Sequence, residues 1–90
     1  IEVADLNDKQ REQFEIEKGV VVINVEQGAA AAAGMRRGDV ILSINNQKIK
    51  DAKQFLDVAK ELPADKAIPV LVQRGQGAIF LAIRLEKEAE

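Results

Sequence analysis

Gly19 is followed by Val20, Val21, Val22, Ile23, Asn24 and Val25, and this run restricts the backbone more tightly than any other stretch of the 90-residue chain. β-Branched side chains are stiff about χ1 and pack well on a pleated surface, so the run predicts a strand. Its near-continuous apolarity predicts burial on both faces, or passage through the core of a sandwich. Further strands surround it in sequence. Val40, Ile41, Leu42, Ser43 and Ile44 run into Asn45-Asn46, residues that tolerate the positive φ of a tight hairpin, with Gln47, Lys48 and Ile49 as the returning arm. Ile68 to Gln73 and Ala78 to Leu85 flank Arg74-Gly75-Gln76-Gly77 and read as a second hairpin. At the start, Ile1, Val3 and Ala4 beside Glu2 and Asp5 roughly alternate, which predicts a short strand.

Helices fill the intervals. Asn7 stands three residues before Gln10, the spacing of an N-cap and its capping-box partner, and predicts a short helix over Asp8–Phe14. Asp5 and Asp8 beside that start favour the positive end of its dipole over any paired acid chemistry. Gly28 and Gly34 bracket five alanines, enough for one or two helical turns. Asp51 caps a longer helix with Ala52, Phe55, Leu56, Val58, Ala59 and Leu62 at helical spacing, and Pro63 lies beyond its end. Lys53, Gln54, Asp57, Lys60 and Glu61 form its wet side. The order predicts an α+β domain over residues 1–86, a small, mostly antiparallel barrel or sandwich of five to six strands capped by two to three helices. Residues 87–90 read as a charged tail.

The composition narrows the chemistry. The chain has no His, Cys, Thr, Tyr or Trp, and Ser43 is its one hydroxyl side chain. A Ser-His-Asp triad or a thiol nucleophile cannot be assembled, and zinc sites normally draw on His or Cys, so no catalytic residue, metal ligand or cofactor site is expected in this segment. Gly75-Gln76-Gly77 joins two strands and opens no helix, so it lacks the geometry that cradles phosphates. A net charge of −2 and only Phe14, Phe55 and Phe80 as aromatics argue against nucleic acid. Arg36-Arg37 reads as a solvated turn. No apolar run approaches the ~20 residues of a membrane span. Absence of Cys leaves the redox compartment open.

Gly28, Ala29 to Ala33, Gly34 and Met35, followed by Gly38-Asp39-Val40-Ile41-Leu42-Ser43-Ile44-Asn45 and by Gln47-Lys48-Ile49, are similar to the signature of bacterial PDZ domains. With the opening Ile1-Glu2-Val3-Ala4-Asp5-Leu6 and the strand from Gly19, nearly the whole chain resembles the second, C-terminal PDZ domain of the HtrA/Deg periplasmic serine endoproteases, the DegP- and MucD-like proteins. Ala29 stands where that family commonly has Pro, and Asn46 where it has Gly. The family's carboxylate-binding loop would precede Ile1.

The resemblance implies the permuted strand order of the bacterial protease domains and a groove between the strand Ile1 to Leu6 and the helix Asp51 to Leu62. An extended peptide would add there as a strand. Implied peptide-binding residues are Ile1, Glu2, Val3 and Ala4 on the strand and Ala52, Leu56 and Ala59 on one helix face, with Phe55 and Val58 turned to the core. Leu56 and Ala59 can equally be read as core, since periodicity does not separate a groove face from a core edge. Implied partners are peptide or unfolded-protein segments, an upstream protease domain and a first PDZ domain, in a homo-oligomeric periplasmic parent. The segment itself would not be an enzyme. Two alternatives stay open: an oligomerisation or cage-assembly contact of the same protease, and a PDZ module of another envelope system such as a secretion subunit or a site-two protease.

Overall fold

A computed structural model describes residues 2–63, 66–75 and 77–84. The chain forms β1 (Glu2–Asp5), α1 (Asp8–Phe14), β2 (Val20–Asn24), α2 (Ala29–Ala32), β3 (Val40–Ile44), β4 (Gln47–Lys48), α3 (Ala52–Lys60), β5 (Ala67–Arg74) and β6 (Gly77–Arg84). Asn7 accepts from the Gln10 amide at 2.8 Å while the Gln10 side chain accepts from the Asn7 amide at 3.0 Å, so the capping box forms as its spacing predicts. Asn45 and Asn46 take φ of 52° and 66° and close β3 onto β4. Asn46 thereby adopts the left-handed backbone that a glycine would fill. Residues 85–90, which include the expected end of the last strand and the charged tail, lie outside the described residues.

The strands make one antiparallel sheet in the order β1-β2-β3-β5-β6, with β4 paired to β3. The sheet is not closed, which corrects the barrel half of the sequence expectation. α2 packs against β6 and α3 against β1, so helices occupy the places where the two edge strands would have to meet.

Alternation divides the core between the two faces. Val20, Val22, Ile41, Ile44, Ile68, Val70, Val72 and Ile83 point to the face covered by α2 and α3, where Phe55 and Val58 join them. Leu6, Val21 and Val40 point the other way, toward Phe14 and Ile16. Two irregularities adjust this pattern. In β3, Ile41 lies opposite Val72 but Ser43 lies opposite Leu71, so Leu42 is an extra residue and Ile44 returns to the main core. In β2, Glu2 pairs with Asn24 and Val3 with Val22, which leaves Ile23 without a partner. Ile23 is accordingly 44% exposed, and burial of β2 on both faces holds only for Val20, Val21 and Val22. Gly19 is required where β2 begins, because a Cβ there would stand 3.0 Å from the Ile41 carbonyl oxygen.

One charged group is buried among the described residues. Asp39, 2% exposed, accepts from Arg74 Nε at 2.8 Å, from Arg74 Nη2 at 2.6 Å and from the Arg36 amide at 3.0 Å. Arg74 Nη2 also donates to the Gly34 carbonyl at 2.9 Å. Arg74 ends β5 and its side chain reaches back to the α2–β3 turn, a role that its place in a hairpin turn does not suggest. Burial pushes the Asp39 carboxyl up, but the hydrogen bonds and charge of Arg74, with the Arg36 amide and charge, outweigh that and hold it below the usual carboxylate range.

Candidate functional site

The edge strand β1 and the helix α3 lie side by side, and local capping sets how they meet. Asp51 Oδ1 accepts from the Gln54 amide at 2.8 Å, and Gln54 Oε1 accepts from the Lys50 amide at 2.7 Å. The Ala52 amide, another of the free donors at a helix start, goes to Asp5 Oδ1 at 2.7 Å. Asp5 therefore serves α3, 47 residues away in sequence, and not the helix that follows it. This bond ties the end of β1 to the start of α3.

Toward the other end of α3 the surface opens into an apolar cavity. Phe55 and Val58 face the core, as the resemblance implies, while Leu56 is 56% exposed. Leu56, Ala59 and Leu62 form one wall of a cavity of about 370 Å³, and Ala29 and Ala30 of α2 form another. Ile44, Ile68 and Ile83 also line it, with Glu26, Gln27 and Gly28 among its polar neighbours. Glu2 pairs with Asn24, so the cavity beside Glu26 lies near the end where the chain enters β1. Its volume is within the ~300–1,000 Å³ of small-ligand sites. Three alanines on the walls leave room for an apolar side chain, and no cationic side chain lines the cavity.

The residues singled out from the sequence separate into groups. Leu56 and Ala59 line the cavity. Val3, Ala52 and Ala59 pack half-buried against the main core cluster, so Val3 lies on the helix side of β1. Ala4 lies on the opposite face against Leu6, Val21 and Val40, and any part it takes is confined to its backbone. Glu2 is exposed opposite Asn24. Ile1 lies outside the described residues. The contribution of Ala29 and Ala30 was missed, because five equivalent alanines carry no signal of which ones face a cavity.

β1 pairs only with β2 among the described residues, so alternate amides and carbonyls of β1 face away from the sheet. A free strand edge beside an apolar cavity can take an extended segment by main-chain hydrogen bonds and select it through one or more side chains.

The family profile described as PDZ domain matches residues 1–85. A probable periplasmic serine endoprotease DegP-like of Pseudomonas putida is 42% identical over 85 residues, which cover 94% of this chain and 18% of that protein. The protein of the same description from Hahella chejuensis is 38% identical over 88 residues, 98% of this chain and 19% of its own length. The chain thus spans less than a fifth of these relatives. Among solved structures, a variant of the HtrA-type protease AlgW with a decapeptide superposes with a TM-score of 0.89 at 27% identity, covering 96% of this chain and 27% of that one. The HtrA3 PDZ domain bound to the phage-derived ligand FGRWV superposes with a TM-score of 0.79 over 93% of this chain and 79% of that one, and at 18% identity this shows the shared fold.

Proposed function

Since the chain belongs to the PDZ domain family, we propose that it is the peptide-binding module of a periplasmic HtrA/DegP-like serine endoprotease, placed as the second, C-terminal PDZ domain of the parent. An extended segment adds to the free edge of β1, and an apolar side chain enters the cavity beside Leu56 and Ala59. The carrying observation is the apolar cavity that Leu56 and Ala59 of α3 line. The DegP-like relatives and the decapeptide in the AlgW structure support the reading.

The module holds substrate segments for a separate trypsin-like protease domain and regulates it, in a parent that is a homo-oligomer. Binding by a few main-chain bonds and one pocket buries little area, so the affinity for any single peptide is modest. Ala52 offers only an apolar wall at the start of α3, where it can make no side-chain hydrogen bond. A library of C-terminal peptides should therefore enrich apolar residues at the terminal and antepenultimate positions when binding is read by fluorescence. Enrichment of Ser or Thr at the antepenultimate position would overturn this assignment.

A further inference from the structure

A second recess, which shares no lining residue with the groove cavity, lies where the outer side of β3 and β5 meets the β4–α3 connection, with Gln54 at the start of α3 also lining it. Leu42 points to this side with Val40, and the irregularity that follows Ile41 sets Ser43 opposite Leu71 on it as well. Leu42 and Leu71 line a recess of about 550 Å³ together with Lys18, Lys48 and Lys50. Phe80 is the cross-strand partner of Leu71 and is 68% exposed, more than any other large apolar side chain among the described residues. A contiguous apolar strip on a soluble domain marks a contact surface more often than a lone exposed Leu does.

The basic rim is built on a braced backbone. Ile49, buried at 1% exposure, separates Lys48 and Lys50, and its amide donates to the Leu42 carbonyl at 3.0 Å. The Gln54 side chain donates to the Lys48 carbonyl at 2.9 Å and accepts from the Lys50 amide at 2.7 Å. None of the three lysines makes an ion pair among the described residues, where the pairs are Arg11 with Asp8 and Arg74 with Asp39. The groove cavity, by contrast, has no cation.

We infer that this outer face is a second docking surface, for a protein segment in which carboxylates flank an apolar anchor residue. The anchor would lie on Leu42, Leu71 and Phe80, and the carboxylates would meet the lysines. Charge complementarity selects an acidic segment. The overall charge of −2 disfavours an extended polyanion or an anionic membrane, against which a protein needs a net basic surface.

The test is titration of the ¹⁵N-labelled 90-residue chain with the blocked peptide acetyl-Glu-Asp-Glu-Leu-Glu-Asp-Glu-amide, which has no free C-terminus for the groove. The expected result is saturable amide shifts at Lys18, Leu42, Lys48, Lys50, Leu71 and Phe80, weakening as salt is raised. A Lys48→Glu/Lys50→Glu variant should lose at least tenfold in affinity, and Phe80→Ser several-fold. Both should keep the thermal melt of the parent chain and its affinity for an apolar C-terminal peptide, while Leu56→Glu should still bind the acidic peptide. Shifts confined to the groove, equal affinity of the lysine variant, or binding of phosphatidylglycerol vesicles without binding of the peptide would each overturn the inference.

Discussion

Phe55→Ala is expected to cost about 3–5 kcal/mol of stability, whereas Leu56→Glu, one residue along the same helix, is expected to melt with the parent chain and lose binding of apolar C-terminal peptides in the groove. Both side chains border the cavity, but Phe55 is buried at its floor and Leu56 stands at its open side. Phe55 is buried in the main cluster, and its removal leaves a void that neighbours fixed by the sheet cannot fill. Leu56 is more than half exposed, so a carboxylate at its place stays hydrated and changes stability by roughly 0.5 kcal/mol or less. In the bound state the same carboxylate would be enclosed with an apolar ligand side chain and would meet no cation, which costs several kcal/mol and exceeds what a short strand addition supplies. Thermal melts of both variants beside a peptide titration measure both quantities. A Leu56→Glu chain that melts as low as Phe55→Ala would place Leu56 in the core and remove the groove assignment.

Arg74→Met is expected to lower the melting midpoint by about 10 °C or more at neutral pH, because it leaves the buried Asp39 carboxylate without a counter-charge. The pH dependence distinguishes this cause from simple loss of packing. In the parent chain the Asp39 pKa is lower folded than unfolded, so the unfolded chain binds more protons in acid. The stability from this pair is therefore complete above the ordinary Asp value, about pH 4, and is lost as pH falls through the lower folded value. Without Arg74, burial dominates and protonation of Asp39 relieves the unpaired charge. The gap in melting midpoint between parent and variant should be widest above pH 5 and should narrow below about pH 4. A gap that stays constant across that range would show that the loss is one of packing alone.

Local signals in the sequence were sufficient for the elements and for most of the core. The β-branched run after Gly19, the Asn7 and Gln10 capping pair, the Asn45-Asn46 turn and the spacing of Phe55 and Val58 each depend on interactions within a few residues. Such preferences act before the chain has any tertiary neighbours, which makes them legible in one dimension. Resemblance in the Gly-Asp-Val-Ile turn and the alanine helix extended this to the family.

The features that remained hidden depend on contacts between distant segments. Asp5 could be recognised as a capping acid, but whether it caps α1 or α3 depends on which free amide the folded sheet brings near it. Arg74 looked like turn chemistry until the end of β5 was placed against the α2–β3 turn, where the buried Asp39 requires a cation. The extra residues at Leu42 and Ile23 are set by how neighbouring strands register, and each reverses the face that simple alternation assigns to the next residues of its strand. Helical periodicity put Leu56 and Ala59 on one side of α3 but left open whether that side was core or surface. The tertiary structure decided it: α2 packs beside β6 and stops short of covering Leu56, so the end of the helix faces an open apolar cavity. Sequence determines what each segment prefers by itself, and only packing determines which preferred surfaces are left uncovered.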